Sequence, residues 1–301
     1  MTEITSPLVQ FSDALADLVA GSSARVCAVL LRHGRHVTAI RWRDDLAIVS
    51  EQGLPKRDRF PFIFQEHEGE AEVVGRDEAT NIALLRLTAG AGEAATPVAA
   101  IARTGALAVA LGTRRDGAVT ARMGVVNQVG AAWQSSHGGR IDAYVRLDLE
   151  LSAAEEGGPA LDAQGGIIGM TTFGPRGQVL VIPHATIERV VPVLLTEGKL
   201  ARGWLGAGLQ PVAVPELPKE SGIKGERGLM IMSVAAGSPA AVGGLLAGDI
   251  LLTVEGDEVG HMSRLVACLG PESIGSELVL GVLRGGNVVN LAVKIVERPA
   301  E

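Results

Sequence analysis

Side chains able to do chemistry are sparse in this 301-residue chain, and the densest group is Ala154-Glu155-Glu156-Gly157-Gly158-Pro159-Ala160-Leu161. Two carboxylates side by side can act as acid and base or hold a metal. Adjacent residues on an extended segment point to opposite sides, however, so such a pair seldom faces one cavity. A structural role is therefore favoured over new chemistry. The six histidines supply no second centre. His33 and His36 flank a turn, His67 lies between Glu66 and Glu68, His137 sits in a Gly-rich turn, His184 follows Pro183, and His261 belongs to the last third of the chain. None has cysteine or carboxylate at metal-ligand spacing, so surface or satisfied histidines are expected and neither metal nor cofactor. Arg41-Trp42-Arg43-Asp44-Asp45 and Arg114-Arg115 read as solvated strand edges and loop faces.

The Ala154–Leu161 segment resembles the GNSGGPL nucleophile loop of trypsin-like serine proteases, with Glu156 where the serine stands. Ala47-Ile48-Val49-Ser50-Glu51-Gln52-Gly53-Leu54 resembles ILTNNHVV and puts Gln52 at the histidine position. Val74 to Leu87 resembles VGxDxxTDLALLKI and puts Asn81 at the aspartate position. Val119 to Val126 is similar to a VTxGIVS hairpin, Asp148 to Ser152 to a DAAIN run, Gly166 to Thr172 to GxVIGINT, and Val181-Ile182-Pro183 to FAIP. In this order and spacing the motifs resemble the HtrA-type proteases over nearly the whole chain. The resemblance implies a mainly β fold, a chymotrypsin-like double barrel followed by a PDZ domain.

It also implies a degenerate triad at Gln52, Asn81 and Glu156, and hence a pseudoprotease. Glu156 has no hydroxyl to attack a carbonyl. An amide at position 52 does not titrate near neutrality and can neither take nor return a proton. At position 81 an amide cannot offset an imidazolium charge, a change that alone lowers turnover by about 10⁴ in trypsin-like enzymes. Ala154, where a glycine is usual, disfavours a positive φ and leaves the oxyanion donors in question. The three polar side chains are expected to form a cluster in which both amides donate to the carboxylate. The competing reading is a serine endopeptidase with a displaced nucleophile such as Ser50 or Ser152, and reactivity with a fluorophosphonate separates the two.

Elements able to position these residues are legible in outline. Pro7 to Ala20 reads as an amphipathic helix, with Leu8, Phe11, Leu15, Leu18 and Val19 on one side packing on the barrel. From Val26 to about Val181, β-rich runs alternate with turn signals such as Gln52-Gly53 and Asp116-Gly117, and Ile187 to Leu195 reads as a closing helix. The expected domains are 1–200, protease-like, and 201–301, PDZ. In the second, Arg202-Gly203-Trp204-Leu205-Gly206-Ala207 resembles the RGYLGI entry of bacterial PDZ domains. The resemblance assigns Trp204, Leu205, Gly206 and Ala207 to capture of a peptide carboxylate by backbone N–H groups.

Composition bounds the partners. Hydrophobic residues at 47% suffice for two cores, and aromatics at 3% leave those cores to Val, Leu, Ile and Ala. A formal charge of −7 with no cluster of Lys or Arg argues against nucleic acid and anionic membranes. Residues 1–20 show no basic n-region, apolar h-region or spanning length, so cytoplasmic residence is expected. Cys27 and Cys268, one in each expected domain, fit free thiols. The expected partners are protein or peptide C-termini, with a role as adaptor, scaffold or regulator. A homo-oligomer is left open, and Phe11 alone gives a trimer no support.

Overall fold

The computed structural model describes residues 6–88, 92, 94–214 and 226–299. The chain divides into two compact units, Met1–Trp133 with Arg140–Leu200, and Gln134–Gly139 with Ala201–Glu301. The first unit holds two closed six-stranded barrels. Strands of the first barrel run in the order Val26–Leu30, His36–Arg43, Leu46–Ser50, Ile82–Leu87, His67–Asp77 and Arg59–Phe64. Those of the second run Tyr144–Asp148, Val179–Pro183, Ile167–Phe173, Pro159–Leu161, Leu107–Thr113 and Val119–Gly130.

Period-two alternation explains why some strands are apolar throughout. In Leu46–Ser50, Ala47 and Val49 face the interior of the first barrel with Phe60, Phe62 and Leu85, while Leu46 and Ile48 face outward. Outward is not solvent here. Leu46, Ile48, Ile82 and Leu84 of the first barrel meet Val109, Leu111, Leu161, Ile167 and Met170 of the second in one shared core. The two barrels are thereby locked together, and the nucleophile-like loop lies in the seam. Trp42 and Arg41 are 0% and 4% exposed, which corrects the expectation of a solvated strand edge. The Arg41 guanidinium lies 3.9 Å from the Phe64 ring centroid and donates to the carbonyls of Ala24 (3.0 Å) and Gly92 (2.6 Å).

Helix α1 spans Pro7–Ser22 behind a Ser6 N-cap whose Oγ accepts from the Leu8 N–H. Only its second half packs as expected: Leu15, Leu18 and Val19 touch the shared core, whereas Leu8 and Phe11 are exposed. Helix α2 spans His184–Glu197, buries Ile187, Val190, Val191 and Leu194, and ends on Gly198 at φ +73°.

In the second unit the main sheet runs Ala207–Ala213, Arg227–Val234, Ile250–Val254, Glu277–Arg284 and Asn287–Lys294. Two short helices, α3 (Pro239–Val242) and α4 (Met262–Cys268), cover a core of Leu229, Ile231, Leu251, Leu265, Leu280, Val282 and Val293. Among the described residues the first strand pairs on one side only, which leaves an open sheet edge beside α4. Among the described residues no helix is long and apolar enough to cross a membrane.

Candidate functional site

Residues 153–157 form tight turns between the barrels, tied by Glu155 N–H to Ser152 O (3.0 Å) and Gly158 N–H to Glu155 O (3.3 Å). Both glycines are demanded by close backbone approach. A Cβ on Gly157, at φ +90°, would lie 2.4 Å from Thr38 O of the first barrel, and one on Gly158 would lie 1.8 Å from Leu111 O of the second. Thr38 clasps the loop from the other side, donating its N–H to Glu156 O (3.3 Å) and its hydroxyl to Ala154 O (2.8 Å). Ala154 does not adopt a positive φ.

Within this frame Glu156 is 6% exposed, and its Oε1 accepts four bonds: the Ser50 hydroxyl (2.9 Å), the Thr172 hydroxyl (2.9 Å), the Phe173 N–H (3.3 Å) and a short bond from Gln52 Nε2. Gln52 Nε2 also reaches Thr172 Oγ1 (2.9 Å) and Phe173 O (3.3 Å), so both its hydrogens are engaged. Asn81 joins the cluster differently from expectation. Its amide donates to Thr172 Oγ1 (2.8 Å) and Ser50 Oγ (3.0 Å) rather than to the carboxylate, and its Oδ1 accepts the Gln52 N–H (2.8 Å). Asn81 holds φ +58°, a left-handed conformation that Asn tolerates better than most residues.

The neighbouring Glu155 points the other way, into a separate set of donors, although the segment is a turn and not an extended strand. It is 3% exposed and receives Thr120 Oγ1 (2.9 Å), Arg122 Nε (3.0 Å) and the Ser152 N–H (2.8 Å). Burial raises its carboxyl pKa, but the Ser152 backbone bond and the Arg122 and Thr120 side chains outweigh burial and hold it below the ordinary range. Glu155 and Glu156 therefore share no cavity, and among the described residues no group of three or more His, Cys, Asp or Glu is placed to hold a metal. His184, expected at the surface or satisfied, is half-buried with its ring tilted by 42° against Trp42 at 5.0 Å between centroids; it bonds to the Pro97 backbone, and its buried Nε2 has no partner. Burial lowers its pKa, with Glu188 opposing and Arg43 adding to the effect.

In the second unit, Trp204 belongs to a two-residue strand paired with Val296–Glu297, and Gly206 turns the chain at φ +76°. The loop carbonyls point inward: Leu205 O accepts the Ala240 N–H (2.8 Å), and Gly206 O accepts the Ala235 N–H (2.8 Å) and the Ser238 hydroxyl (3.2 Å). Among the described residues the N–H groups of Leu205 and Gly206 have no acceptor. Ala207 and Leu209 of the open edge strand share a core with Leu265, Cys268 and Leu269. A Cβ on Gly206 would lie 2.2 Å from Ser238 Cβ, so the glycine is needed for packing as well as for its φ.

Residues 35–170 match the trypsin-like peptidase domain and residues 203–295 the PDZ domain. The chain carries a trypsin-like peptidase domain followed by a PDZ domain. Probable periplasmic serine endoproteases described as DegP-like are similar to it: one from Bartonella henselae is 29% identical over 77% of the chain and 46% of the relative, and one from Brucella suis is 30% identical over 85% and 51%. The chain thus spans about half the length of the curated relatives it matches. Its fold is that of the HtrA-type protease AlgW solved with a decapeptide (TM-score 0.73, 22% identity, 95% of this chain and 99% of the other). It is likewise that of a serine endoprotease from Yersinia pestis (TM-score 0.70, 20% identity, 94% and 98%).

The expectation of cytoplasmic residence does not stand, because the relatives of the chain are named periplasmic. It rested on the first residues of a chain that covers half of those proteins, and two unpaired thiols do not identify a compartment. Sequence reasoning missed Thr172, Thr38 and Arg122. The only trace of Thr172 is a Thr171-Thr172 pair ending an otherwise apolar strand, and nothing in the sequence joins Arg122 to Glu155.

Proposed function

We propose that the chain is a periplasmic peptide-binding protein of HtrA type, acting as adaptor, scaffold or regulator, whose peptidase domain does not cleave by serine chemistry. The observation that carries this reading is Glu156 Oε1, the shared acceptor of Ser50, Thr172, Gln52 and Phe173 at the place where a nucleophile would need a free oxygen and a titrating base. Gln52 and Asn81 serve there as hydrogen-bonding members of a neutral scaffold around a carboxylate. The PDZ domain receives a terminal carboxylate at Leu205 and Gly206 while the peptide adds to the open edge of Ala207–Ala213. That relatives solved with bound peptides share the fold supports this assignment of partner.

The names of the relatives favour a second reading, an active serine endopeptidase with a displaced nucleophile. Of its candidates, Ser50 is 0% exposed and gives its proton to Glu156, and Ser152 is exposed. The Nε2 of His36, the one histidine on the first barrel's second strand, is engaged with Thr113 O at 2.8 Å. One experiment decides between them. The full chain and its Glu156→Ser variant are treated with a fluorophosphonate and with unfolded casein. Neither is expected to label or to cut, because triad members act as a unit and a lone hydroxyl has no base. Labelling of any serine in the unaltered chain establishes the endopeptidase, and turnover by the variant shows a base that Gln52 is not.

A further inference from the structure

The two oxygens of Glu156 stand in opposite situations. Oε1 takes all four donors, whereas Oε2 has no hydrogen-bond partner among the described residues and is not among the buried atoms lacking one. It therefore meets solvent, on a residue that is 6% exposed, beside Gly53 and the exposed Gln52. No cation offsets it: the ion pairs of the described residues link Arg122 to Glu155, and Lys56 and Arg76 to Glu51, but none reaches Glu156. A carboxylate removed from bulk water, oriented by neutral donors and lacking a counter-charge is complementary to a cation delivered from outside.

On the reading that this cleft holds peptides rather than cutting them, we propose that Glu156 Oε2 is a recognition site for a primary ammonium group of a bound peptide. The substitution that removes the nucleophile would then also supply a charge that reads the ligand. A lysine side chain suits the site in particular, since its ammonium is a compact charge on a slender stem that can reach a largely buried carboxylate. A peptide α-amino group offers the same chemistry, and the test separates the two sources.

Binding of short extended peptides to the full chain is measured by fluorescence anisotropy, every peptide being C-terminally amidated so that carboxylate capture by the PDZ domain does not contribute. The first carries one central lysine and an acetylated N-terminus, the second replaces that residue by Nε-acetyl-lysine, and the third combines Nε-acetyl-lysine with a free N-terminus. The lysine peptide is expected to bind at least about tenfold more tightly than its doubly acetylated counterpart, the scale of one charge-assisted bond. Preference for the third peptide instead identifies the α-amine as the source. In Glu156→Gln, which keeps an acceptor for the four donors, the preference should vanish. Equal affinity for all three peptides, no binding of any, or a preference that survives Glu156→Gln overturns the proposal. Mass analysis of the recovered peptide guards the underlying reading, because cleavage would refute the inert cleft, not the charge preference.

Discussion

Replacing Glu156 by alanine removes one acceptor from four donors, and the structure indicates which of them find another. The Ser50 hydroxyl can turn to Asn81 Oδ1 at 3.2 Å, and Gln52 Nε2 keeps Thr172 Oγ1 and Phe173 O. The Thr172 hydroxyl, on a residue 4% exposed, and the Phe173 N–H are left without an acceptor. Two orphaned donors at about 1–3 kcal/mol each set a gross cost of ~2–6 kcal/mol. Water admitted from the Oε2 side meets part of it, so a net loss of about 2–3 kcal/mol is expected. Glu156→Gln retains an acceptor and forfeits only the charge-assisted share, about 1 kcal/mol. Because two domains preclude a single two-state transition, the measurement is hydrogen exchange of strands Leu46–Ser50 and Ile167–Phe173 across a urea series on the full chain. An alanine variant as stable as the unaltered chain, or a glutamine variant less stable than the alanine one, would falsify the claim that this carboxylate organises the cleft.

In the PDZ domain, peptides with a free apolar C-terminus should bind the full chain, change Trp204 emission and lose affinity on amidation. If a broad peptide library yields no binder, or amidation makes no difference, the Leu205 and Gly206 N–H groups are not the recognition element. Asp249, 3% exposed, is held below the ordinary aspartate range by hydrogen bonds from Arg284, against burial and with help from the Leu246 N–H. A depressed carboxyl contributes stability above its unfolded pKa, near 3.9, and loses it as pH falls through the folded value, so PDZ stability should decline below about pH 4. Asp249→Asn should lower the melting temperature at pH 7 and flatten its dependence on acid, and an unchanged acid slope would count against this. Both thiols should be unpaired. Burial pushes Cys27 up to about 12, with Arg41 opposing, and raises Cys268 with Asp257 and Glu255 adding. Cys27 should alkylate only on unfolding and Cys268 slowly in the native chain, and a mass two hydrogens short before reduction would refute both.

Much of the fold is legible because strand period and turn chemistry are local: the apolar run of Leu46–Ser50, the Asp116-Gly117 turn and Gly198 at the end of α2 each state their structure within a few residues. The site is less legible, because its bonds join residues far apart in the chain. Gln52 meets Glu156 across 104 positions and Asn81 meets Thr172 across 91, so no window of sequence reveals that Asn81 bonds to the two hydroxyls instead of the carboxylate. The burial of Arg41 is hidden from the sequence for a related reason. A charged residue between apolar neighbours looks like a solvent face until Phe64, Ala24 and Gly92 are seen closing around it.

The Gly157-Gly158-Pro159 frame beside Glu156 has a physical reason that catalysis does not supply. Gly157 abuts Thr38 O and Gly158 abuts Leu111 O, so the pair sits where backbone from each barrel leaves no room for a Cβ. Those contacts hold the barrels in register whatever side chain stands at position 156, and replacing either glycine would force the seam apart. The residue between the loop and the cleft is under no such steric demand. It can exchange a hydroxyl for a carboxylate provided that its surroundings supply donors, which Ser50, Gln52 and Thr172 do. Packing and chemistry are thus separable at this loop, and a peptidase fold can keep its architecture with a carboxylate at position 156.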